Sequence, residues 1–185
     1  MQDKIKEQIE ASIEAKRRLS ANDIEEAAKV MAAALKCGHK ILLCGNGGSA
    51  ADCQHIAGEL VGRFKKERAA WPAVALSTDT SILTALANDY GQEIIFSRQV
   101  EALGQEGDVL VAISTSGTSP NIIKAVEAAK KKKMKIIGFT GLKGAKLKGL
   151  SDVCIMAASD DTPRIQECHI TAAHIICGLV EDSLA

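Results

Sequence analysis

Aromatic side chains are scarce in this 185-residue chain, which contains three Phe, one Trp and one Tyr. Stacking platforms for single-stranded nucleic acids are built from aromatic rings, so the composition argues against that class of protein. An excess of positive charge is also missing, because 23 Lys and Arg balance 23 Asp and Glu. We therefore expect no nucleic-acid partner and no electrostatic attachment to a membrane.

The six cysteines include no CxxC pair, and several stand in apolar stretches, where cysteine behaves as a small hydrophobe. This usage favours a reducing, cytoplasmic compartment over a disulfide framework. No apolar run is long enough to cross a bilayer, and the charged first residues do not resemble a signal peptide. The length fits one domain, which we expect to span residues 1–185.

Short apolar runs alternate with helical patterns, which predicts an α/β fold with a doubly wound, five-stranded parallel sheet. The predicted strands cover residues 40–44, 73–76, 108–113, 135–140 and 153–156. Helices are predicted over 49–63, 81–88, 93–103, from 120 onward and over 162–182, with a turn at 88–91. In such sheets ligands bind beyond the carboxyl ends of the strands, so the residues just after the strands are the first candidates for a site.

Two helices are predicted before the first strand. The first, over residues 3–19, is charged except for one narrow apolar stripe, which can pack on the same domain or on another subunit. That stripe consists of Ile5, Ile9 and Ile13. Asn22 and Glu25 fit a capping box that opens the second helix, and Gly38 ends it.

A glycine-rich turn, Gly45-Asn46-Gly47-Gly48, follows the first predicted strand. Glycine there permits positive φ and close approach of the backbone to a ligand, and Ser49 is a good N-cap for the next helix. The start of that helix would aim backbone N–H groups at an anion or at polar oxygens. Further along it, His55 and Glu59 share one face because they are four residues apart. The pair predicts proton chemistry on a polar ligand, or alternatively an ordinary solvated pair.

The third predicted strand is followed by Ser114-Thr115-Ser116-Gly117-Thr118-Ser119, then by Pro120 and a helix. Five hydroxyl groups thus flank one glycine immediately before a helix N-terminus. Hydroxyl and backbone donors at such a place suit a phosphate dianion without any Lys or Arg. The alternative is a turn that only caps the helix, but the hydroxyl groups outnumber what capping requires. We therefore expect a phosphate site here.

The last predicted helix carries Gln166, His169 and His174. Gln166 and His174 are eight residues apart and lie within about 80° of each other around the helix axis. His169 lies on the other flank of Gln166 and is an alternative candidate. A histidine in an apolar helix is usually a buried core residue. Beside His55 and Glu59, however, these side chains would form a metal or acid–base cluster.

The glycine-rich turn, the hydroxyl-rich loop and the alternation of strands and helices resemble the sugar isomerase (SIS) family, nearly from end to end. Three further motifs are similar to those of the phosphoheptose isomerases within that family. They are His55-x-x-x-Glu59-Leu60-x-Gly62-Arg63, Asn88-Asp89-x-Gly91 and Arg164-Ile165-Gln166-Glu167-x-His169. Thr118 is a departure, since many members carry Asn at that position, although Thr keeps a hydroxyl group.

The resemblance implies an enzyme that converts D-sedoheptulose 7-phosphate into D-glycero-D-manno-heptose 7-phosphate, the first step of ADP-heptose synthesis for the lipopolysaccharide core. It also implies one zinc ion per subunit and a homotetramer with active sites at subunit interfaces, where helix 3–19 would find its partner. The implied zinc ligands are His55, Glu59, Gln166 and His174, of which Glu59 and His174 are also the implied acid–base residues. The implied substrate contacts are Asn46, Gly47, Gly48, Glu59, Asn88, Asp89, Ser114, Thr115, Ser116, Ser119 and Gln166.

Ketose-to-aldose isomerisation moves one proton between adjacent carbons through an enediolate, so it needs a base, a second proton donor and a group that stabilises the oxyanion. Glu59 and His174 can supply the first two, and a bound zinc could supply the third as a Lewis acid. Two other functions compete with this one. A non-catalytic SIS protein that binds the replication initiator is expected to lack an acid at position 59 and a histidine at position 174. A sugar-phosphate-sensing module would need only the phosphate loop.

Overall fold

The computed structural model describes all 185 residues and contains a five-stranded, wholly parallel sheet with eight α-helices. The strands are β1 (Ile41–Gly45), β2 (Ala73–Ala75), β3 (Val109–Ile113), β4 (Lys135–Thr140) and β5 (Val153–Met156). The helices are α1 (Gln2–Arg17), α2 (Ala21–Lys36), α3 (Gly48–Val61), α4 (Thr80–Tyr90), α5 (Ser97–Leu103), α6 (Pro120–Lys131), α7 (Ala145–Leu150) and α8 (Thr162–Leu184). The predicted α/β class and all five predicted strands are confirmed. None of the helices combines the length and the apolarity that a membrane crossing needs.

The strands are ordered β2-β1-β3-β4-β5 across the sheet. The chain therefore moves to one side of β1 to form β2 and to the other side to form β3, β4 and β5. In the register of β1 and β3, Gly45 pairs with Ile113, the last residue of each strand. The turn after β1 and the loop after β3 are thus neighbours at the switch point, where open α/β sheets bind ligands.

Both faces of the sheet are buried, as its apolar strands predict. Ile41 and Leu43 of β1 belong to the cluster formed with α2, α3 and α8, whereas Leu42 and Cys44 belong to the cluster formed with α5 and α6. This alternation follows from the two-residue period of a strand. As a result α3 and α8 lie together on one face, where they carry most of the candidate site.

Helix α1 packs on α8 of the same chain through Ala15, which clusters with Ile165 and Cys168. Ile5 and Ile9 remain 54% and 53% exposed. The apolar stripe of this helix is therefore covered within the chain at its end but not along its first half.

Two predicted helix caps are wrong. Helix α2 is capped by Ser20, whose side chain accepts the Asp23 N–H (3.2 Å), and not by Asn22. Helix α3 begins one residue before Ser49, with Gly47 (φ +54°) in the capping position. Ser49 is buried, because the helix turns immediately beside the end of β1.

The region between β2 and β3 also differs from the prediction. Helix α4 continues to Tyr90, so the expected turn at 88–91 is reduced to Gly91 (φ +96°). The expected helix over 93–103 is divided into a 3₁₀ helix, Gln92–Ile94, and α5. Helix α7 follows β4 and was not predicted; it is only six residues long and has no side-chain cap.

Candidate active site

Two asparagines join the loops of the switch point. The Asn46 side chain donates to Asn121 Oδ1 (3.0 Å), and the Asn121 side chain donates to Asn46 Oδ1 (2.8 Å). Asn121 is buried, and its Oδ1 also accepts the Ile122 N–H (3.0 Å). The sequence analysis missed Asn121, although its place directly after Pro120 at a helix start was a usable signal. The pair holds the glycine-rich turn against the start of α6.

The loop after β3 folds on itself through its hydroxyl groups. Ser114 Oγ lies 3.0 Å from Ser119 Oγ and 3.4 Å from Ser116 Oγ, and it accepts the Gly117 N–H (3.1 Å). Thr118 donates to Ser116 Oγ through its N–H (3.3 Å) and its hydroxyl (3.2 Å). Gly117 has φ +66°, and a Cβ there would collide with the turn after β4. The hydroxyl loop, residues 114–119, is thus a compact array of donors.

A polar cavity of about 130 Å³ lies beside the hydroxyl loop. It is lined by Thr115, Ser116, Lys143, Ser159, Asp160, Thr162 and Ile165. Helix α8 begins in its wall, and α6 begins at the end of the loop, so two helix N-termini favour an anion there. Lys143 Nζ lies 3.3 Å from Asp160 Oδ2 in an exposed ion pair. The sequence predicts a phosphate site without a lysine, so Lys143 is an addition from the structure.

Three side chains meet where α3 lies beside α8. His55 Nε2 lies 3.0 Å from Glu59 Oε1 and 3.2 Å from His174 Nε2. The three ligand atoms all lie within 4.8 Å of one another. Two imidazole nitrogens at this distance either share a proton in a hydrogen bond or face the same cation. We call His55, Glu59 and His174 the His–Glu–His cluster.

The spacing of the cluster fits a zinc ion. Ligand atoms about 2.0–2.1 Å from a tetrahedral zinc lie about 3.3 Å from one another. The two separations from His55 Nε2, 3.0 Å to Glu59 and 3.2 Å to His174, are close to that value, and the third pair lies within 4.8 Å. Two histidines and one glutamate are also a donor set of catalytic zinc sites, in which three protein ligands leave one position open. The residues present therefore suit the metal that the resemblance implies.

Gln166 lies against the start of α3. A Cβ on Gly48, at the start of α3, would lie 2.5 Å from Gln166 Nε2, so the amide covers that glycine. The backbone of His55 lies about 10 Å further along α3 and that of His174 about 12 Å further along α8, at 1.5 Å per residue. The contact with Gly48 places Gln166 at the switch point, beside an expected substrate contact. Its role as the fourth zinc ligand stays a prediction.

His169, the alternative candidate, is a core residue with 1% exposure. Its Nε2–H donates to the Thr140 carbonyl (3.1 Å), and its ring meets Phe139 edge to face. Burial lowers the pKa of His169 to about 4, although the bond to Thr140 opposes the shift. His169 thus supports the end of β4 as a neutral side chain.

Asn88 and Asp89 lie in the exposed last turn of α4, where the Asn88 side chain donates to Asp89 Oδ1 (2.8 Å). Neither side chain is hydrogen-bonded to the hydroxyl loop or to the His–Glu–His cluster. Their expected contact with substrate stays a prediction.

Two neighbours of the cluster were missed from the sequence. The Phe64 ring stacks on the His174 ring, with centroids 5.8 Å apart and planes inclined by 24°. Asp52 lies one turn before His55 and has a buried Oδ2 without a hydrogen-bond partner. Burial raises the pKa of Asp52, and the charges of His55 and His174 act in the opposite direction. The three-residue spacing of Asp52 and His55 could have predicted Asp52 as a neighbour, whereas no sequence pattern indicated Phe64.

A larger groove of about 470 Å³ lies between α4 and α5. It is lined by Ile82, Leu86, Arg98, Gln99, Glu101, Ala102 and Leu103. This lining is mostly apolar and includes none of the expected site residues, so the groove is not the candidate active site.

A family model described as the SIS domain matches residues 5–141, which is most of the chain. The chain is therefore a SIS-domain protein, in agreement with its fold.

Several relatives identify the family within this class. The phosphoheptose isomerase of Rhodospirillum rubrum is 57% identical over 161 residues, which cover 87% of this chain and 86% of the relative. That of Thermodesulfovibrio yellowstonii is 51% identical over 187 residues, which cover 100% of this chain and 93% of the relative. The solved structure of phosphoheptose isomerase GmhA from Neisseria gonorrhoeae matches with a TM-score of 0.92 at 44% identity, over 98% of each chain. The chain belongs to the phosphoheptose isomerase family.

Proposed function

We propose that the chain isomerises D-sedoheptulose 7-phosphate to D-glycero-D-manno-heptose 7-phosphate through an enediolate. The observation that carries the proposal is the His–Glu–His cluster, in which two imidazoles and one carboxylate lie within 4.8 Å. Such a cluster supplies the acid and base that this reaction needs. The identity of more than half with phosphoheptose isomerases supports the same reaction.

The separation of the two parts of the site suits this substrate. The reacting carbons C1 and C2 are at the opposite end of the sugar from the 7-phosphate. The hydroxyl loop would bind the phosphate, and the cluster begins about 10 Å further along α3, given seven residues at 1.5 Å each. Gln166 and Gly48 lie between them and would contact the sugar. Binding the distal phosphate orients the reacting carbons without taking part in the chemistry.

Glu59 and His174 would divide the proton transfers. Glu59 takes a proton from C1 and returns one to C2, which converts the ketose into the aldose. His174 gives a proton to the carbonyl oxygen on C2 as the enediolate forms, and it takes one from the hydroxyl oxygen on C1. Asn46, Gly47 and Gly48 would hold the sugar at the switch point, together with Asn88 and Asp89.

Zinc would be held by His55, Glu59, Gln166 and His174, with one ion per chain. When bound, it supplies a Lewis acid that polarises an oxygen of the substrate. A carboxylate has two oxygens, so Glu59 can hold the ion through one and face the substrate with the other.

The oligomeric state and the cellular compartment are proposed on the same basis. A homotetramer would cover the apolar side chains that α1 leaves exposed, Ile5 and Ile9. We place the enzyme in the cytoplasm, where its product would enter ADP-heptose synthesis for the lipopolysaccharide core.

The test is to incubate the purified protein with sedoheptulose 7-phosphate and to follow formation of the aldose heptose phosphate. Conversion at an ordinary enzymatic rate is expected. Binding of the sugar phosphate without conversion would favour the sensing module instead. Absence of both would leave the non-catalytic SIS protein as the better interpretation.

A further inference from the structure

Glu59 lies in the last turn of α3, which ends at Val61. The last carbonyl groups of a helix have no partner within the helix, and helix ends fray. Gly62 caps the end only through its N–H, which donates to the Gly58 carbonyl (2.9 Å). An acid–base residue at this place therefore needs a restraint from outside the helix.

Arg68 supplies that restraint. Its Nη2 donates to the Glu59 carbonyl (2.8 Å), and its Nη1 donates to the carbonyls of Leu60 (3.0 Å) and Gly62 (3.3 Å). The guanidinium lies 3.5 Å from the centre of the Trp71 ring, and the side chain is 4% exposed. A buried cation thus occupies the negative end of the α3 dipole.

Glu181 of α8 holds Arg68 in turn. Its Oε1 lies 3.1 Å from Arg68 Nε, and the Glu181 side chain is 2% exposed. The same carboxylate accepts the backbone N–H groups of residues 64–66 at 2.8–3.0 Å. Glu181 is seven residues after His174 and therefore lies on the same face of α8. The pair ties the end of α3 to the helix that carries His174.

The segment held by Glu181 also places a ring on the cluster. Phe64 stacks on His174 and covers Gly178, where a Cβ would lie 3.3 Å from Phe64 Cε1. The Phe64 N–H is one of the groups that Glu181 binds (3.0 Å). One buried carboxylate thus orients neighbours of both Glu59 and His174.

We propose that the buried Arg68–Glu181 pair is a positioning device that holds Glu59 at its working distance from His174. The inference rests on the proposed function, because it assigns the pair to the acid–base residues of that reaction. Arg68 and Glu181 do not touch the substrate; they act through the last turn of α3 and through Phe64. Loss of the pair should slow the proton transfers and leave binding of the sugar phosphate intact.

The test compares Arg68→Lys and Glu181→Gln with Asp108→Asn in the full-length protein. Lysine keeps the charge but lacks the forked guanidinium that reaches several carbonyls. Asp108 is a matched control, because it is a buried carboxylate that binds Lys40 Nζ (2.6 Å) and two backbone N–H groups outside the site. The measurements are kcat and KM for sedoheptulose 7-phosphate and hydrogen exchange of the amides of residues 58–62.

For Arg68→Lys we expect kcat to fall at least tenfold, KM to stay within twofold and exchange at residues 58–62 to accelerate. Asp108→Asn should leave all three unchanged. If Glu181→Gln does not fold, the result for Arg68→Lys alone decides whether the proposal stands. The proposal is overturned if Arg68→Lys keeps kcat within twofold, or if Asp108→Asn lowers kcat equally. If the wild-type protein does not convert the sugar, the proposed function fails. Separately, unchanged hydrogen exchange at residues 58–62 in Arg68→Lys would show that Arg68 does not restrain the last turn of α3.

Discussion

The hydroxyl loop and the His–Glu–His cluster are built in opposite ways. The loop consists of six consecutive residues, and its shape comes mainly from hydrogen bonds among its own hydroxyl and N–H groups. The cluster joins His55 to His174 across 119 residues and exists only because α3 and α8 pack on the same face of the sheet. A local segment thus forms one part of the candidate site, and tertiary packing forms the other.

This difference predicts that the two parts of the site have different roles, one in binding and one in proton transfer. The loop presents donors to an anion at two helix N-termini, which is suited to binding. The cluster presents ionisable groups in contact with one another, which is suited to proton transfer. Substitutions in the loop should therefore act on KM, and substitutions in the cluster should act on kcat.

The largest effect is expected for Glu59→Gln. The amide keeps the shape of the side chain but cannot take a proton, so kcat should fall by about 10²- to 10⁴-fold. Steady-state kinetics with sedoheptulose 7-phosphate measure the change, with zinc content determined in parallel. The control is Glu67→Gln, which alters an exposed carboxylate in the same part of the chain and should have no effect. Turnover of Glu59→Gln within a few-fold of the wild type would refute the acid–base assignment.

Zinc binding tests the proposed ligand set. Loss of a residue that only supports a metal ligand typically costs 10- to 100-fold in affinity, so His174→Ala should weaken zinc binding at least about 100-fold. Gln166→Ala should weaken zinc binding less, because an amide is a weaker zinc ligand than an imidazole, and should also raise KM, since the amide lies at the switch point. Calorimetric titration of the metal-free protein with zinc alone measures both. Wild-type zinc affinity of Gln166→Ala would remove Gln166 from the proposed ligand set.

The hydroxyl loop should respond through binding. A hydrogen bond to a charged group is worth about 1.5–3 kcal/mol, so Ser116→Ala should raise KM about 10- to 150-fold with little change in kcat. Ser119→Ala should also raise KM, because Ser119 Oγ lies in the same array, 3.0 Å from Ser114 Oγ. Thr118→Ser keeps its hydroxyl and serves as the control. If both alanine variants bind inorganic phosphate and the sugar phosphate as tightly as the wild type, the hydroxyl loop does not bind phosphate and serves only as a helix cap.

His169 lies outside both parts and should affect stability more than activity. A histidine in the unfolded chain titrates near pH 6.5, whereas burial lowers the pKa of His169 to about 4 in the folded protein. Between these values the unfolded state binds one more proton, so the free energy of unfolding decreases as the pH falls from 6.5 to 4. The loss should reach about 3 kcal/mol.

Urea unfolding of the wild type and of His169→Gln at pH 7 and pH 4.5 measures this loss. Glutamine keeps an N–H donor for the Thr140 carbonyl but does not titrate, so its stability should change less between the two pH values. An identical change in both proteins would show that other groups cause the acid sensitivity. Glu181 adds to the loss only at the acid end of this window, because its stabilisation begins to be lost near the unfolded value of 4.5. Burial opposes its ionisation, but bonds from the N–H groups of residues 64–66 and from Arg68 hold its pKa at about 2.

The sequence by itself determined the strands, the glycine-rich turn, the hydroxyl loop and the pairing of His55 with Glu59. Each of these depends on residues within one strand, one loop or one helix turn, where hydrophobic periodicity and backbone chemistry act over a few residues. The register of β1 and β3 then places the glycine-rich turn and the hydroxyl loop together at the switch point.

Only the tertiary structure decided which distant groups meet. A helix wheel shows Gln166 and His174 on one stripe, but only the packing of α8 on α3 brings His174 to His55 and Gln166 to Gly48. Burial separated His169, a core residue, from His174, which reaches His55. The Arg68–Glu181 pair has no motif, because its members are 113 residues apart and are brought together only by the packing of α3 and α8. Contacts of that kind depend on the position and direction of whole elements, which local sequence patterns do not contain.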